Sequence, residues 1–484
     1  MSERLRPRDL AFLAMESAAT PMHNATLEIF DPGESGFDYQ RLVELIDSRI
    51  AFVPRYRQRI QTVPGRIANA VWIDDSRFDL AYHVRRSGLP RPGTMEQLRE
   101  LVARIVSRPL DAHRPLWEMY FIEGLADGKV AVLAKSHQIL VDGVETVDLG
   151  QVLLDTGREL KELEHDDWRP KPQPSPLSLA AGALHDNLRE PETLVSTVRS
   201  TAQSGLRSAK AGWDRAGAVT NALANRRPTP DSPISAELSE QRRFVAVGTR
   251  LDDYRQIRDV HGGSINDVVL ATLTGALRTW LQARGTSSTA MRQIKAMVPM
   301  SVIDDELEAT SLGTQIAPHL VTLPVGEPSP VVRLHQVSYA FAAHQETGRG
   351  VAANRLAGIA GFAPTTFHAL GSRAAAEQLG KGFHIAITNV PGPQFPLYAA
   401  GAQMIETYPV QPLLPGQALA IGITSYDGGV YYGVTADRDA LPDASVLGQC
   451  IVEALEELKD SASDARPRAP RGRKKAAKKA AKKP

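Results

Sequence analysis

Near the end of its first third the chain carries the stretch Ala131-Val132-Leu133-Ala134-Lys135-Ser136-His137-Gln138-Ile139-Leu140-Val141-Asp142-Gly143. The apolar residues at its start predict a buried strand, and the closing Asp-Gly pair predicts a turn. Burying His, Gln and Asp beside a hydrophobic strand costs free energy unless each side chain finds a partner. The polar cluster therefore indicates either a satisfied structural network or a reaction site, and the stretch alone favours the network.

Further short blocks lie on both sides of this stretch. They are Leu10-Ala11-Phe12-Leu13 with Glu16, Pro21-Met22-His23, Phe78-Asp79-Leu80, His83-Val84-Arg85, Arg108-Pro109-Leu110-Asp111, Arg114-Pro115-Leu116-Trp117-Glu118-Met119, Asn266-Asp267-Val268-Val269-Leu270-Ala271, Val298-Pro299-Met300-Ser301, Asn389-Val390-Pro391-Gly392-Pro393 and Ala436-Asp437-Arg438-Asp439. With these blocks, His137 to Gly143 resembles the HHxxxDG signature of the bacterial, actinobacterial-type wax ester synthase/diacylglycerol acyltransferase family. The similar blocks follow the family order from residue 10 to about residue 442, which chance does not explain.

One position departs from the family pattern. The family's second histidine, four residues before the Asp, is expected to act as general base, but Gln138 occupies that position here and His137 occupies the first. A primary amide cannot accept a proton at neutral pH as imidazole can, so Gln138 could orient a substrate hydroxyl without deprotonating it. Because adjacent side chains of a strand face opposite ways, His137 could replace the base only if the strand ends or bulges here.

The resemblance implies transfer of an acyl group from a thioester to an alcohol, with His137 and Asp142 as the best candidates for the catalytic residues. It also implies that Asp142 is structural and paired with an arginine, and that Gly143 allows a tight turn. Gln138 and Gly143 are candidates for motif and substrate-positioning residues.

Two other blocks contain candidate site residues. The resemblance implies that Asn266 and Asp267 line the site opposite the His motif, whereas the residues alone predict that Asn266 is the N-cap of an apolar helix. It implies that Pro115, Leu116 and Trp117 form a wall of the acyl channel, with ordinary packing as the alternative.

Strand and helix patterns alternate in both halves of the chain, which predicts an α/β fold. The resemblance makes this specific: two CoA-dependent-acyltransferase-like domains, each a mixed β-sheet with flanking helices, with the active-site channel between them. The expected N-terminal domain is 1–165, followed by a Pro-rich and helical linker at 166–240, the C-terminal domain at 241–460 and a disordered basic tail at 461–484. Tyr426-Asp427-Gly428-Gly429 predicts a hairpin turn, and Val144 to Leu153 predicts an amphipathic helix after the motif.

The overall composition fits a globular protein, with 43% hydrophobic and 23% charged residues among 484. The sequence has no apolar run of about 18 residues and no signal-peptide core after Met1, so a cytoplasmic location is expected. Cys450 is the only cysteine, which excludes an intramolecular disulfide and a Cys-rich metal site.

The net charge of +1 conceals a basic tail. Arg466 to Lys483 contains four Arg and six Lys and no acidic residue, so the rest of the chain carries 1 − 10 = −9. Such a tail predicts disorder. Functionally, the tail is expected to attach the protein peripherally to anionic lipid, either at the inner face of the membrane or on lipid droplets. Nucleic acid is the less favoured partner.

Other chemistries have little support. The sequence lacks a Gly-rich phosphate loop, an HExxH motif and a Gly-x-Ser-x-Gly elbow. His83, His261, His319 and His384 have no ligand-like partners at short spacing, so no metal and no bound cofactor are expected, and acyl-CoA is a co-substrate.

Three functions remain open. The first is an acyl-CoA-dependent O-acyltransferase for diacylglycerol or a long-chain alcohol. The second is a catalytically weak or silent relative that binds lipid, and the third is an acyltransferase for a different acceptor.

Overall fold

The structure is a computed structural model that describes residues 3–63, 69–141, 148–159, 168–175, 178–179, 232–292, 294–303, 314–345, 364–379 and 382–464. Its strands are β1 His23–Asp31, β2 Gln58–Gln61, β3 Val71–Asp74, β4 Val84–Gly88, β5 Trp117–Glu123, β6 Val130–His137, β7 Arg242–Arg250, β8 Lys295–Ile303, β9 Thr314–Thr322, β10 Ile385–Pro391, β11 Tyr398–Ala399, β12 Ala402–Val410, β13 Leu419–Tyr426 and β14 Gly429–Asp437. Its α-helices are α1 Pro7–Met15, α2 Tyr39–Arg49, α3 Leu80–His83, α4 Met95–Val106, α5 Leu149–Val152, α6 Leu251–His261, α7 Ile265–Ala283, α8 Ser288–Arg292, α9 Pro330–Gln345, α10 Pro364–Glu377 and α11 Ala444–Asp464. Short 3-10 helices span Ile50–Phe52, Pro54–Arg57, Ala126–Gly128 and Gln138–Leu140.

Two six-stranded sheets organise the described residues. The first has the order β11-β12-β1-β6-β5-β4 and the second β7-β14-β13-β10-β8-β9. Both are mixed: β4 runs parallel to β5, and β10 runs parallel to both β8 and β13, whereas the other pairs are antiparallel. Two mixed sheets with flanking helices confirm the predicted α/β fold class.

One strand crosses between the halves. The sequence-based division places residues 398–410 with the second half, but β12 pairs antiparallel with β1 in the first sheet, with Ala25 opposite Val410. The first sheet is therefore completed by a segment that lies almost four hundred residues along the chain from its central strand. The division at 241–460 needs this amendment.

Glycines allow the crossing segment to lie close to the second sheet. A Cβ on Gly433 of β14 would overlap the carbonyl oxygen of Pro409, and a Cβ on Gly422 of β13 would lie 2.7 Å from the Pro409 Cβ. Real Cβ atoms do not approach other atoms so closely, and glycine is the residue that permits close backbone contact. The two sheets are thus joined tightly through the end of β12.

A second connection between the halves is made by the hydrogen bonds of Arg242. Arg242, at the start of β7, is buried; its guanidinium donates to the carbonyl oxygen of Ala19 and lies 3.4 Å from the Asp437 carboxylate. Its backbone N–H donates to Ser107 Oγ at 3.0 Å, just after α4. The buried guanidinium therefore satisfies polar groups from both halves of the chain.

The remaining local predictions have different outcomes. The hairpin turn is confirmed, because β13 and β14 pair antiparallel around Asp427 and Gly428, which both have positive φ.

Residues 168–175 form neither helix nor strand, as the Pro-rich composition predicts. Of the helix predicted after the motif, α5 is described and 142–147 lie outside the described residues, as do most of the linker 166–240 and residues 465–484 of the tail. The expected start of the disordered tail at 461 is wrong, because residues 461–464 form the last turn of α11. Cys450 is buried in the packed face of α11.

Candidate active site

The strand register divides the motif between two faces of the first sheet. Asn24 of β1 and Trp117 of β5 both pair with Ser136 of β6, so these three side chains share one face. His23 pairs with His137, and their side chains lie on the opposite face. The first sheet therefore separates His137 from the face that carries Trp117.

His137 is the last residue of β6 and is fully buried. Its Nδ1 accepts the backbone N–H of Ile139 at 3.2 Å and so caps the 3-10 helix Gln138–Leu140. Its Nε2 lies 3.4 Å from Glu16 Oε2, an ion-pair distance without hydrogen-bond geometry. In the neutral ring the proton is then on Nε2, facing the carboxylate, and the lone pair of Nδ1 is already engaged. β6 does end at His137, which is the condition under which His137 could replace the missing base. Both of its ring nitrogens, however, face protein groups.

Glu16 is the acidic partner of this histidine. Burial acts to raise the pKa of Glu16, but the side-chain contact and charge of His137, the N–H of Met22 and the charge of Lys135 together hold that pKa below its ordinary value. The Met22 N–H donates to Glu16 Oε1 at 3.2 Å. Glu16 is therefore held as a carboxylate under His137, which orients the imidazole.

Gln138 lies one residue further, in the 3-10 helix. Its backbone N–H donates to the carbonyl oxygen of Met22 at 3.0 Å, which extends the β1–β6 pairing by one residue. Its side chain is fully buried, and neither its Oε1 nor its Nε2 has a hydrogen-bond partner among the described residues. Leaving a buried amide unpaired costs about 1–3 kcal/mol for each group, so the Gln138 amide is a candidate ligand-binding group.

Arg373, on α10, holds the motif segment in place. One guanidinium nitrogen, Nη1, donates to the carbonyl oxygens of Gln138 at 3.1 Å and Val141 at 2.6 Å, and the other, Nη2, binds Asp9 of α1 at 2.6 Å. The expected partner Asp142 lies outside the described residues, as does Gly143. Sequence analysis did not single out Arg373, although a charged residue within an Ala-rich helix was an available signal.

A pocket opens on the face that carries Trp117. Its lining includes Asn24, Tyr56, Trp117, Leu149 and His368. Trp117 is fixed by donation from its Nε1 to the carbonyl oxygen of Tyr56 at 2.7 Å and by stacking on His83 at 4.6 Å. Both polar atoms of the buried Asn24 amide lack a hydrogen-bond partner in the described part of the chain. The pocket thus combines aromatic walls with unsatisfied polar groups, as ligand sites do.

The other two residues of the predicted channel wall have packing contacts. Pro115 and Leu116 are buried, and neither is among the residues that line this pocket. The carbonyl oxygen of Leu116 accepts the His137 N–H at 2.9 Å. The segment therefore supports the motif strand through its backbone, and Trp117 alone of the three reaches the pocket.

A buried lysine lies on the His137 face of β6, because it pairs with Ala25 and Glu118 and is adjacent to Ser136 in the strand. Lys135 Nζ donates to the carbonyl oxygens of Arg108 at 2.5 Å and Ile105 at 3.3 Å and lies 3.6 Å from the Glu118 carboxylate. Burial lowers the pKa of Lys135 to about 8, although the negative charge of Glu118 opposes the change. Lys135 therefore carries its charge at neutral pH and binds the chain segment after α4.

Asn266 and Asp267 lie in the first turn of α7. The prediction that Asn266 is the N-cap is wrong: the N-cap is Ser264, whose side chain accepts the Asp267 N–H while the Asp267 carboxylate accepts the Ser264 N–H. This reciprocal pair is a capping box, in which Asp takes the place of the more common Glu. Asp267 also accepts the Ser338 hydroxyl at 3.0 Å, and Asn266 accepts the Asn389 amide at 2.8 Å. The Asp267 carboxylate is thus occupied by helix contacts, and Asn266 is tied to the block at Asn389.

Comparison with known proteins establishes the family. The family description "Wax ester synthase/diacylglycerol acyltransferase catalytic domain" matches residues 5–269, and "WS/DGAT C-terminal domain" matches residues 312–459. A probable diacylglycerol O-acyltransferase of Mycobacterium tuberculosis is 30% identical, with 94% of this chain and 99% of that protein covered. A second one from the same organism is 41% identical over 53% of this chain and 96% of its own length.

Solved structures agree with this assignment. The wax ester synthase/diacylglycerol acyltransferase of Marinobacter aquaeolei has a TM-score of 0.64 and 25% identity, covering 95% of this chain and all of that one. A condensation domain of the calcium-dependent antibiotic synthetase, with a TM-score of 0.53 and 15% identity over 96% of this chain and 97% of that one, shares the fold alone. The chain belongs to the wax ester synthase/diacylglycerol acyltransferase family. It is an enzyme of this acyltransferase type, which confirms the class predicted from the motif blocks.

The described residues contain no group of three or more His, Cys, Asp or Glu side chains that could hold a metal ion. None of the helices in this part of the chain is both long enough and apolar enough to span a bilayer.

Proposed function

We propose that the protein transfers a long-chain fatty acyl group from acyl-CoA, its co-substrate, to the free hydroxyl of diacylglycerol, forming triacylglycerol. Long-chain alcohols, which would give wax esters, are the proposed second acceptors. The names of the mycobacterial relatives support the first acceptor. The observation that carries the proposal is the buried amide of Gln138, which has no hydrogen-bond partner among the described residues and lies at the position where the family's base is expected.

Each candidate residue has a proposed role. Gln138 binds the acceptor hydroxyl or the thioester carbonyl, because its amide offers both a donor and an acceptor. Trp117 bounds the acyl chain. Asn266 holds the segment that contains Asn389, in β10 of the second sheet. Asp142 and Gly143 shape the turn that follows the motif.

His137 requires a separate assignment. Sequence analysis makes it a candidate proton acceptor, but its Nδ1 is bonded to the Ile139 N–H and its Nε2 faces Glu16. We therefore propose that His137 acts through the motif segment, by capping the 3-10 helix, without receiving the substrate proton. Replacing it should then lower thermal stability and activity together.

The absence of a base at Gln138 favours a second candidate function. A protein that keeps the pocket and cannot deprotonate the hydroxyl would bind acyl chains without turnover. A third candidate is acyl transfer to a different acceptor, with Gln138 recognising a polar group of that substrate. The proposed partners beyond the substrates are anionic membrane surfaces or lipid droplets, through the basic tail, rather than nucleic acid.

The test is an assay of purified protein with labelled palmitoyl-CoA and either diolein or hexadecanol, following CoA release and ester formation. Ester formation that falls at least tenfold in Gln138→Ala, but not in the exposed control Gln40→Ala, supports the proposal. No ester with either acceptor would favour the lipid-binding candidate. An activity unchanged in Gln138→Ala would remove Gln138 from the site.

The second part of the test concerns His137. We expect His137→Ala to lower both the melting temperature and the rate, since the cap and the Glu16 contact are lost. A large loss of rate with an unchanged melting temperature would instead restore His137 as the proton acceptor.

A further inference from the structure

A second histidine lies in the pocket on the Trp117 side of the first sheet. His368, on α10, is 3% exposed and lines the same pocket as Trp117 and Asn24. Among the described residues it is the only histidine in that lining. Its imidazole therefore lies on the face of the sheet where the substrates are proposed to bind.

The ring of His368 has one occupied and one open nitrogen. Nδ1 lies 2.7 Å from the hydroxyl oxygen of Thr388 on β10, and Nε2 is buried without a hydrogen-bond partner in the described part of the chain. Donation from Nδ1–H to the Thr388 oxygen leaves the lone pair of Nε2 directed away from β10 and available to a ligand. This is the arrangement of a base whose second nitrogen is oriented by a neighbouring group.

The surrounding contacts fix this orientation. The Ser372 hydroxyl lies 3.0 Å from the carbonyl oxygen of His368, to which it donates, and it also contacts the side-chain amide of Gln411. A Cβ on Gly371 would lie 2.9 Å from Thr388 Cγ2, so glycine at this position lets α10 approach β10 closely. The same helix places Arg373 on the carbonyl oxygen of Gln138. One rigid helix thus connects the His368 ring to the motif segment.

We propose that His368 is the proton acceptor for the attacking hydroxyl, in place of the base that Gln138 cannot provide; this inference rests on the proposed acyl transfer. The hydroxyl proton moves to Nε2 as its oxygen forms a bond to the thioester carbonyl carbon. The tetrahedral intermediate then collapses, the C–S bond breaks, and the departing CoA thiolate takes the proton from Nε2. The products are the ester and CoA thiol, with His368 neutral again.

Burial lowers the pKa of His368 to about 3, so the ring is neutral throughout the ordinary assay range. The same burial weakens the ring as a base, because it disfavours the imidazolium. The proposed transfer therefore requires the negative charge that develops on the reacting thioester to stabilise the protonated ring.

Complementation separates a base from a structural residue. We expect His368→Gln to lower kcat by about 10²- to 10⁴-fold, as expected for loss of a general base, with little change in KM. The double variant His368→Gln/Gln138→His has a histidine at the family position. Its kcat should be at least tenfold higher than that of His368→Gln. The matched control is His23→Gln. His23 is also buried, lies on the opposite face of the sheet, and has one ring nitrogen without a hydrogen-bond partner among the described residues. Adding Gln138→His to His23→Gln should not raise kcat.

A second measurement does not depend on turnover. ¹⁵N NMR of histidine-labelled protein, with His368→Gln used for assignment, reports which ring nitrogen carries the proton. A neutral ring protonated at Nδ1 supports the inference, and a proton on Nε2 overturns it. A folded His368→Gln variant with wild-type kcat, or a double variant that recovers nothing, also overturns it. Wild-type protein that forms no ester with either acceptor would count against the proposed function, and the NMR result would still decide the protonation of His368.

Discussion

The guanidinium of Arg373 donates a 3.1 Å hydrogen bond to the main-chain carbonyl oxygen of Gln138. The two residues are separated by 235 positions in the chain, so the contact joins the C-terminal half to the motif. The carbonyl of Val141 and the carboxylate of Asp9 accept two further hydrogen bonds from the same guanidinium. The position of the Gln138 side chain therefore depends on a helix of the other half, which couples the packing of the two halves to the geometry of the site.

Replacing Arg373 should lower both stability and activity. Arg373→Ala leaves Asp9 as an unpaired buried carboxylate and two carbonyls unsatisfied, and we expect a loss of about 3–5 kcal/mol in the free energy of unfolding. Arg373→Lys should recover only part of it, because an ammonium cannot reproduce the planar fork that reaches three acceptors. Urea denaturation and the ester assay measure both effects. Arg86→Ala, which removes the ion pair between the exposed Arg86 and the partly buried Glu123, is the control and should change neither; an effect equal to that of Arg373→Ala would contradict the prediction.

Replacing Asp267 should affect stability more than catalysis. Its carboxylate accepts from Ser264 and Ser338, so Asp267→Ala should lower the free energy of unfolding by about 1–2 kcal/mol through loss of the helix cap. We expect kcat per folded molecule to stay within twofold, and Ser264→Ala to have a similar effect on stability. A loss of kcat in Asp267→Ala that Ser264→Ala does not share would favour the role at the site that the family pattern implies.

Sequence patterns predicted the local structure well and the long-range pairing poorly. The strand that ends at His137 and the hairpin at Asp427 follow from apolar alternation and turn residues, which are local properties. The pairing of Ala25 with Val410 depends on contacts between distant segments, for which a single sequence contains no local pattern.

The same limit applies to the site. The motif identified His137 and Gln138, because the signal is contiguous in the sequence. The contacts of Arg373 and His368 depend on how α10 packs against both sheets. A charge within an Ala-rich helix marks Arg373 as unusual, but the sequence of α10 does not specify which segments it contacts.

Ionisation of Glu28 should make stability fall as the pH rises. Burial, with the negative charge of Asp148, raises the pKa of Glu28 from 4.5 to about 8. Above pH 4.5 the unfolded chain ionises this group while the folded chain keeps it protonated, so stability is lost between pH 4.5 and 8, by up to about 1.4 kcal/mol for each pH unit. Glu28→Gln should therefore stabilise the protein more at pH 8 than at pH 5. Chemical denaturation at both pH values tests this. If the Glu28 carboxyl is ionised in the folded state, the difference in the free energy of unfolding between wild type and Glu28→Gln will be the same at both pH values, which would contradict the prediction.

Adding a methyl group at Gly433 should separate the two sheets. A Cβ at this position would overlap the carbonyl oxygen of Pro409, and since the obstacle is backbone it cannot move aside as a flexible side chain would. We expect Gly433→Ala to lower the free energy of unfolding by about 3 kcal/mol, at the upper end of the range for overpacking, and to reduce ester formation, because the end of β12 connects both sheets near Gln411. Gly88→Ala is the matched control, since Gly88 also lies in a strand and a Cβ there would meet nothing within 4 Å. Equal stability of the two alanine variants would show that the end of β12 can shift without cost, and the tight joint between the sheets would then have no role in holding the site together.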